Sequence, residues 1–342
     1  MNIPRPFDAH VHLRDGAMLC AVVPATAHSC DAALVMPNLV PPVTTRAAAR
    51  SYRQRIEAAV PAGVSFTPLL TAYLTDGIDP DEVVAGFEAG DWVAAKLYPA
   101  HATTNSAHGV SSVEAIEPVL AAMAAAGMPL CVHGEVTDPS VDIFDREAVF
   151  LQQVLAPTLE RHPTLRVVVE HATTAAAVAF VQQAGDTVAM SITAHHLWWN
   201  RNALFAGGLR PHAYCLPVLK RERDREALVQ AATSGDPRVF FGSDSAPHLV
   251  HRKETDCGCA GVYSAPTAPA VVATVFARHG ALDRLGGFLS EHGPAWYGRA
   301  PSPERVEVVE QPWTPAEALA TAEGGVRVFL GGDEVPLALQ AR

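Results

Sequence analysis

Phe7-Asp8-Ala9-His10-Val11-His12-Leu13-Arg14 holds, at residues 7–13, the first of eight short apolar runs in this 342-residue chain. The others span residues 33–36, 65–74, 92–98, 128–133, 166–171, 187–193 and 238–243, and most are rich in β-branched residues. Stretches of helical composition follow them, at 19–30, 44–60, 80–89, 113–126, 144–161, 174–184, 221–233 and near 266–277. Continuous apolar strands alternating with helices imply a parallel sheet covered on both faces. Eight such units predict an α/β fold, a (β/α)8 TIM barrel. A doubly wound open sheet fits less well, because no glycine-rich phosphate loop follows the first run. Thr44 or Thr45 is positioned to cap the second helix, Pro80 and Asp81 to open the third, and Gly127 to close the fourth.

No linker rich in Pro, Gly or Ser divides the chain, so residues 1–342 are expected to form a single domain. The tail from about 286 carries Trp296, Tyr297 and a β-like run at 305–309, and should pack on the barrel. Hydrophobic residues make up 49% and charged residues 18%, enough to build a large core. The net charge of -11 and the absence of a basic run disfavour nucleic acid as a partner. No stretch reaches the roughly 20 apolar residues of a membrane span, and no signal peptide is recognisable at the N-terminus. The six cysteines follow no disulfide framework, and Cys257-Gly258-Cys259 lacks the second pair of a zinc knuckle. Free thiols in a reducing cytoplasm are the expectation.

The chemistry lies at the ends of the runs. His10 and His12, spaced i, i+2 on a strand, point to one face. Two buried imidazoles on one face are costly unless they are ligated or hydrogen-bonded, and a divalent metal is the economical partner. Lys96 lies in the fourth run, His133 ends the fifth, His171 the sixth and Asp244 the eighth. The C-terminal ends of barrel strands converge on one mouth, where active sites form. A lysine in a buried strand must lose its charge or find a partner. It could form a Schiff base, sit in a salt bridge, or react with CO2 to give a carbamate that bridges two cations. Four histidines and an aspartate on the same rim give the third option a physical logic.

The ordered set resembles the amidohydrolase superfamily, and within it the dihydroorotases of the short, single-domain bacterial type. Asp8-Ala9-His10-Val11-His12-Leu13-Arg14 is similar to that superfamily's opening signature. Met36-Pro37-Asn38, Lys96-Leu97-Tyr98-Pro99, Val132-His133-Gly134-Glu135, Val169-Glu170-His171 and Gly242-Ser243-Asp244-Ser245-Ala246-Pro247-His248 follow in the family's order. Ala102-Thr103-Thr104-Asn105-Ser106 and Asp256-Cys257-Gly258-Cys259-Ala260-Gly261 are close to the subfamily, and the likeness runs from about Pro6 to about Pro266.

The resemblance implies two Zn2+ per subunit. His10, His12 and Asp244 would bind one and His133 and His171 the other, with carboxylated Lys96 (N6-carboxylysine) and a hydroxide bridging them. It implies Arg14, Asn38 and His248 on a substrate carboxylate, and Leu216 and Ala260 against a dihydropyrimidine ring, with His12 and His133 also facing the substrate. Thr103 and Thr104 would sit on a loop that closes over the site. The implied reaction is the reversible cyclisation of N-carbamoyl-L-aspartate to L-dihydroorotate in de novo pyrimidine (UMP) biosynthesis, with Asp244 as the catalytic proton carrier, in a cytoplasmic homodimer. The residues themselves agree. Arg14 comes two residues after His12, and its planar fork suits a carboxylate; Asn38 ends the second run; His248 lies four residues past Asp244. Two alternatives are a hydantoinase- or allantoinase-like cyclic amidohydrolase and a barrel without catalysis. The first usually carries a β-sandwich built from both termini, for which a run starting at Phe7 leaves no N-terminal room. The complete ligand set speaks against the second. His195 and His196 are read as rim residues outside the metal set, and His101 and His108 as solvated.

Overall fold

The computed structural model describes residues 1–341. Its strands, in chain order, are β1 (Asn2–Pro4), β2 (Phe7–Val11), β3 (Ala32–Val35), β4 (Thr67–Tyr73), β5 (Ala94–Leu97), β6 (Leu130–Val132), β7 (Val167–Val169), β8 (Val188–Ile192), β9 (Val239–Phe241), β10 (Arg305–Trp313), β11 (Ala318–Thr321), β12 (Gly324–Arg327) and β13 (Val335–Ala341). Strands β2 to β9 pair in parallel and in chain order within one sheet. The sheet closes on itself past the strand ends: Val11 bridges Ser245 in parallel, and the Asp244 N–H donates to the His10 carbonyl at 2.9 Å. The fold is the expected (β/α)8 barrel. Seven of the eight sequence runs contain one of its strands, each two or three residues shorter than the run, and β3 starts one residue before its run.

Helices cover the outside. Thr45 caps the helix Arg46–Ala59 by accepting from the Ala48 N–H at 3.2 Å. The helix Pro80–Glu88 starts on Pro80 behind an Asp79 cap. Gly127 ends the helix Glu117–Ala126 with φ 66°, a left-handed conformation that Gly adopts freely. The segment expected as one helix over 144–161 is broken into Arg146–Phe150, a wide π-turn at Leu151–Leu155, and Ala156–Arg161. Pro157 accounts for the break, since it has no N–H and its ring crowds the carbonyl one turn back.

Apolar packing forms two shells. Phe7, Ala9, Leu34, Cys131, Val168 and Phe240 fill the barrel interior with Trp296 and Tyr297 of the tail. Val11 packs instead in the larger cluster between sheet and helices. Pairing of β2 with β3 slips between Asp8 and Val11. A slip of this kind is a bulge, which re-aims the side chains after it. It explains why Phe7 and Ala9 face the interior and Val11 does not, and it turns His10 inward.

The tail is a sheet built from both ends of the chain. β1 pairs antiparallel with β10, which pairs with β13, and β11 pairs with β12 in a separate hairpin. The expectation that nothing before Phe7 takes part in such a sheet is therefore corrected. Three residues are enough for one strand, and its partner is more than 300 positions away, as in the pair Asn2↔Glu307.

Candidate active site

The barrel mouth gathers the predicted ligands. His10 Nε2 and His12 Nε2 lie 3.3 Å apart, and Asp244 Oδ1 is 3.3 Å from the first and 3.0 Å from the second. The His10 and His171 rings are 5.0 Å apart between centroids, and those of His171 and His133 are 4.8 Å apart. Lys96, with no exposed surface, contacts Glu170 and lies 4.7 Å over the Tyr98 ring. All six predicted ligands are buried.

Three of the four histidines have an outer polar neighbour, hydrogen-bonded for His12 and His133 and in charge contact without hydrogen-bond geometry for His10. His10 Nδ1 lies 3.0 Å from Glu170 Oε1, His12 Nδ1 2.8 Å from Asn38 Oδ1, and His133 Nε2 2.8 Å from Glu135 Oε2. In each case the other ring nitrogen is free to ligate, an arrangement typical of metal-binding histidines. Among the described residues, His10 Nδ1, His171 Nδ1 and the Tyr98 hydroxyl are buried without a hydrogen-bond partner. Such orphans are rare unless something absent from the protein atoms completes them. His10, Glu170 and His171 form one metal-capable group, and His10, His12 and Asp244 another. The donor set of imidazoles and carboxylates suits zinc.

The charges are strongly coupled. Burial alone would raise the Asp244 carboxyl, but the charge on His10 and hydrogen bonds from His10 and His12 hold it well below the usual carboxylate range. Glu170 follows the same pattern: burial pushes up, and His10 and Lys96 pull down further. His12 is pushed down to about 4, mainly by burial. His248 is pushed down to about 2, by burial and then by the neighbouring Arg14. It is therefore neutral and accepts from the Arg14 guanidinium, 3.0 Å away. Arg14 also donates to the Pro247 carbonyl at 3.2 Å and has no carboxylate partner among the described residues.

Strain collects in the same place. Arg14, His171 and Asp244 have φ values of 58°, 42° and 43°. Left-handed backbone is costly for residues other than Gly and tends to persist at functional sites.

Of the remaining predicted residues all but His248 line the mouth cavity, and His248 stands behind it against Arg14. Arg14, Asn38, Thr103, Thr104, Leu216 and Ala260 line one cavity with His10, His12, His133, His171 and Asp244. The loop lies closed over it. Asn38 Nδ2 donates to the Thr104 carbonyl at 3.0 Å, Asn105 Nδ2 donates to the Asn38 carbonyl at 3.0 Å, and Thr104 Oγ1 reaches the Ala260 carbonyl at 3.5 Å. The free space is about 20 Å3, room for roughly one water. A ring-sized ligand enters only when the loop lifts. His101 and His108 are exposed, as expected. His195 and His196 are not rim residues: they are 0% and 2% exposed, because the short helix Ala194–Trp198 turns them inward.

Four contributors were not predicted. Glu135 and Glu170 orient ligands, and each stands within two positions of a predicted ligand in the sequence. Asp8 ties the first barrel strand to the last, accepting from the Ser243 N–H at 2.7 Å and from its hydroxyl at 2.5 Å, which fixes the residue before Asp244. Lys253 donates to the carbonyls of Tyr214, Cys259 and Gly261 at 3.1, 2.8 and 2.7 Å and so holds the loop bearing Ala260. Nothing in the sequence marks Lys253 for this role.

Comparison with known proteins agrees with this geometry. The sequence profile of the amidohydrolase family matches residues 3–282. A dihydroorotase of Erwinia tasmaniensis is 54% identical over 335 residues, 97% of this chain and 96% of that one. The crystal structure of a Campylobacter jejuni dihydroorotase superposes with a TM-score of 0.90 at 34% identity, covering 99% of this chain and 97% of that one. A Saccharomyces cerevisiae dihydroorotase solved in complex with 5-fluoroorotic acid gives a TM-score of 0.92 at 31% identity, covering 100% and 98%. With a barrel mouth of clustered histidines and likeness along nearly its whole length, the chain belongs to the amidohydrolase family and, within it, to the dihydroorotases.

Proposed function

We propose that the chain opens and closes the ring of L-dihydroorotate, interconverting it with N-carbamoyl-L-aspartate in de novo pyrimidine (UMP) biosynthesis. Arg14 is the observation that carries this reading. It is a cation without an ion pair among the described residues, held by a neutral His248, and it lines the cavity that also holds the metal-type cluster. A cyclic amide bearing a carboxylate satisfies both halves of that cavity. The yeast relative's ligand, 5-fluoroorotic acid, is also a pyrimidine carboxylate.

The residues fit two zinc ions per subunit. His10, His12 and Asp244 would hold one, His133 and His171 the other, and Lys96 would join them as N6-carboxylysine. Bound there, the ions would supply Lewis-acid activation of water and of the ring carbonyl. Lys96 becomes a carbamate when its neutral amine adds to CO2 and loses a proton, so its contact with Glu170 must give way first. Asp244, held ionised, takes a proton from the attacking water and delivers it to the departing ring nitrogen. In the direction of synthesis it takes the proton from the carbamoyl nitrogen. Arg14, Asn38 and His248 bind the carboxylate, Leu216 and Ala260 flank the ring, and His12 and His133 face it from the metal side. Lifting Thr104 off Asn38 frees the Asn38 amide for substrate. The loop bearing Thr103 and Thr104 then closes again and excludes bulk water.

Turnover of L-dihydroorotate, hydantoin and allantoin by the zinc-loaded protein, side by side, tests the reading. Fast ring opening of dihydroorotate alone is expected. Preference for hydantoin or allantoin would discard the substrate, and no turnover of any would discard the enzyme. We further infer that residues 1–342 work as one unit, tail included, in a homodimer within a reducing cytoplasm. The six free cysteines support the compartment, and sedimentation tests the dimer. No helix among the described residues is long and apolar enough to cross a membrane.

A further inference from the structure

Past the end of β8 lies a second cluster that the mouth does not use. His195 and His196 sit on the helix Ala194–Trp198, and Cys215 sits on the segment that returns toward β9. Their exposures are 0%, 2% and 1%. Among the described residues, neither ring nitrogen of His195 has a hydrogen-bond partner. A neutral imidazole carries one donor and one acceptor, and leaving both unmade in the interior is costly. Beside it, the Pro217 carbonyl serves two groups at once. His196 Nε2 is 3.1 Å from that oxygen and Cys215 Sγ is 3.3 Å from it, while Nε2 and Sγ are 3.8 Å apart. One atom each of His195, His196 and Cys215 falls within a common 4.8 Å. Nitrogen and thiolate ligands sit about 2.0–2.3 Å from a tetrahedral zinc, so neighbouring donors lie roughly 3.5 Å apart. The His196–Cys215 pair is already near that spacing.

We propose that His195, His196 and Cys215 form a second, buried site for a thiophilic divalent ion such as zinc, with the Pro217 carbonyl as a fourth donor. On binding, the Cys215 thiol releases its proton to solvent and the thiolate becomes a ligand. The His196 proton moves from Nε2 to Nδ1, where Thr193 Oγ1, 2.7 Å away, accepts it. One proton leaves per ion bound. His195 gains the partner it lacks. The ion's effect on the reaction is one of positioning. Leu216 lies in the chain between two of the four donors and lines the mouth cavity, so a bound ion fixes that wall. The proposal does not depend on the dihydroorotase reading, because the mouth cluster contains no sulfur.

Cobalt is the probe. The whole chain is produced with cobalt as the only supplied transition metal, its cobalt content is counted, and its near-ultraviolet spectrum is searched for thiolate-to-cobalt charge transfer. The wild type should show the band, and a Cys257→Ser/Cys259→Ser double variant should keep it. Cys215→Ser should lose the band and one cobalt per chain. His195→Gln, which keeps polarity and approximate size, should weaken cobalt binding about 10-fold or more. A wild type without the band, a band that survives Cys215→Ser, or a band lost with Cys257 and Cys259 would overturn the site. If Cys215→Ser does not fold, His195→Gln decides: unchanged cobalt affinity overturns the proposal.

Discussion

The two ends of the barrel interior are built on opposite principles. At the floor, Phe7, Phe240, Trp296 and Tyr297 pack ring against ring, with centroid separations of 6.1 Å for Phe7–Tyr297 and 6.3 Å for Phe240–Trp296. The Tyr297 hydroxyl finds Cys131 Sγ at 3.4 Å, and the Arg166 guanidinium lies 4.8 Å over the Trp296 ring. At the mouth, the same eight strands end in buried imidazoles, carboxylates and a lysine, with orphan atoms on His171 and Tyr98 and left-handed backbone at Arg14, His171 and Asp244. The floor stabilises mainly by apolar burial, although the Trp296 indole N–H is buried there without a partner among the described residues. The mouth carries desolvation and strain that only ligands relieve. The contrast teaches that a polar cluster of this cost persists where the surrounding packing is strong enough to hold it.

The sharpest break of that contrast is Asp244→Asn. The fold and melting temperature should be nearly unchanged, while kcat for dihydroorotate falls about 10^3-fold or more. A near-normal rate would remove Asp244 from proton transfer. Trp296→Ala should do the reverse. A large aromatic lost from the floor costs about 3 kcal/mol of stability by denaturant unfolding, with kcat of the folded protein within about 2-fold of wild type. A large loss of kcat at full stability would mean the floor is not merely structural. Glu135→Gln keeps the shape of the His133 partner and removes its charge. Zinc affinity, measured by competition with a chelator, should fall about 10- to 100-fold. Lys253→Met should have the smallest effect on chemistry. Losing its three carbonyl bonds loosens the Ala260 loop, so KM should rise about 5- to 10-fold, roughly 1–1.4 kcal/mol, with kcat little changed. A change in kcat alone would contradict its positioning role.

Much of the mouth was legible in the sequence, because strand ends in an alternating β/α chain map to one rim and polar residues there stand out against apolar runs. His10, His12, Lys96, His133, His171 and Asp244 were all visible in that way. The family likeness supplied Leu216 and Ala260, which have no chemistry of their own. Glu135 and Glu170 were not assigned roles, because a carboxylate next to a ligand looks like any loop charge until its distance to the imidazole is known. The bulge in β2 also escaped: a one-residue slip leaves no trace in an apolar run. The pairing of Asn2–Pro4 with a strand 300 residues away follows from tertiary closure, not from local preference. The π-turn at Leu151–Leu155 did have a signal, Pro157, which argued against a continuous helix. His195 and His196 read as rim residues because they follow the seventh strand, which the resembled family does not use for metal, and the sequence does not show that the short helix after it turns them inward.

The most direct measurement is a crystal structure of the zinc-loaded protein with anomalous scattering recorded at the zinc edge. Two zinc peaks are expected in the mouth, with density for a carboxylate on Lys96 Nζ and Glu170 released from that lysine. Zinc bound beside an unmodified Lys96 still paired with Glu170, or a mouth that takes no zinc, would contradict this expectation.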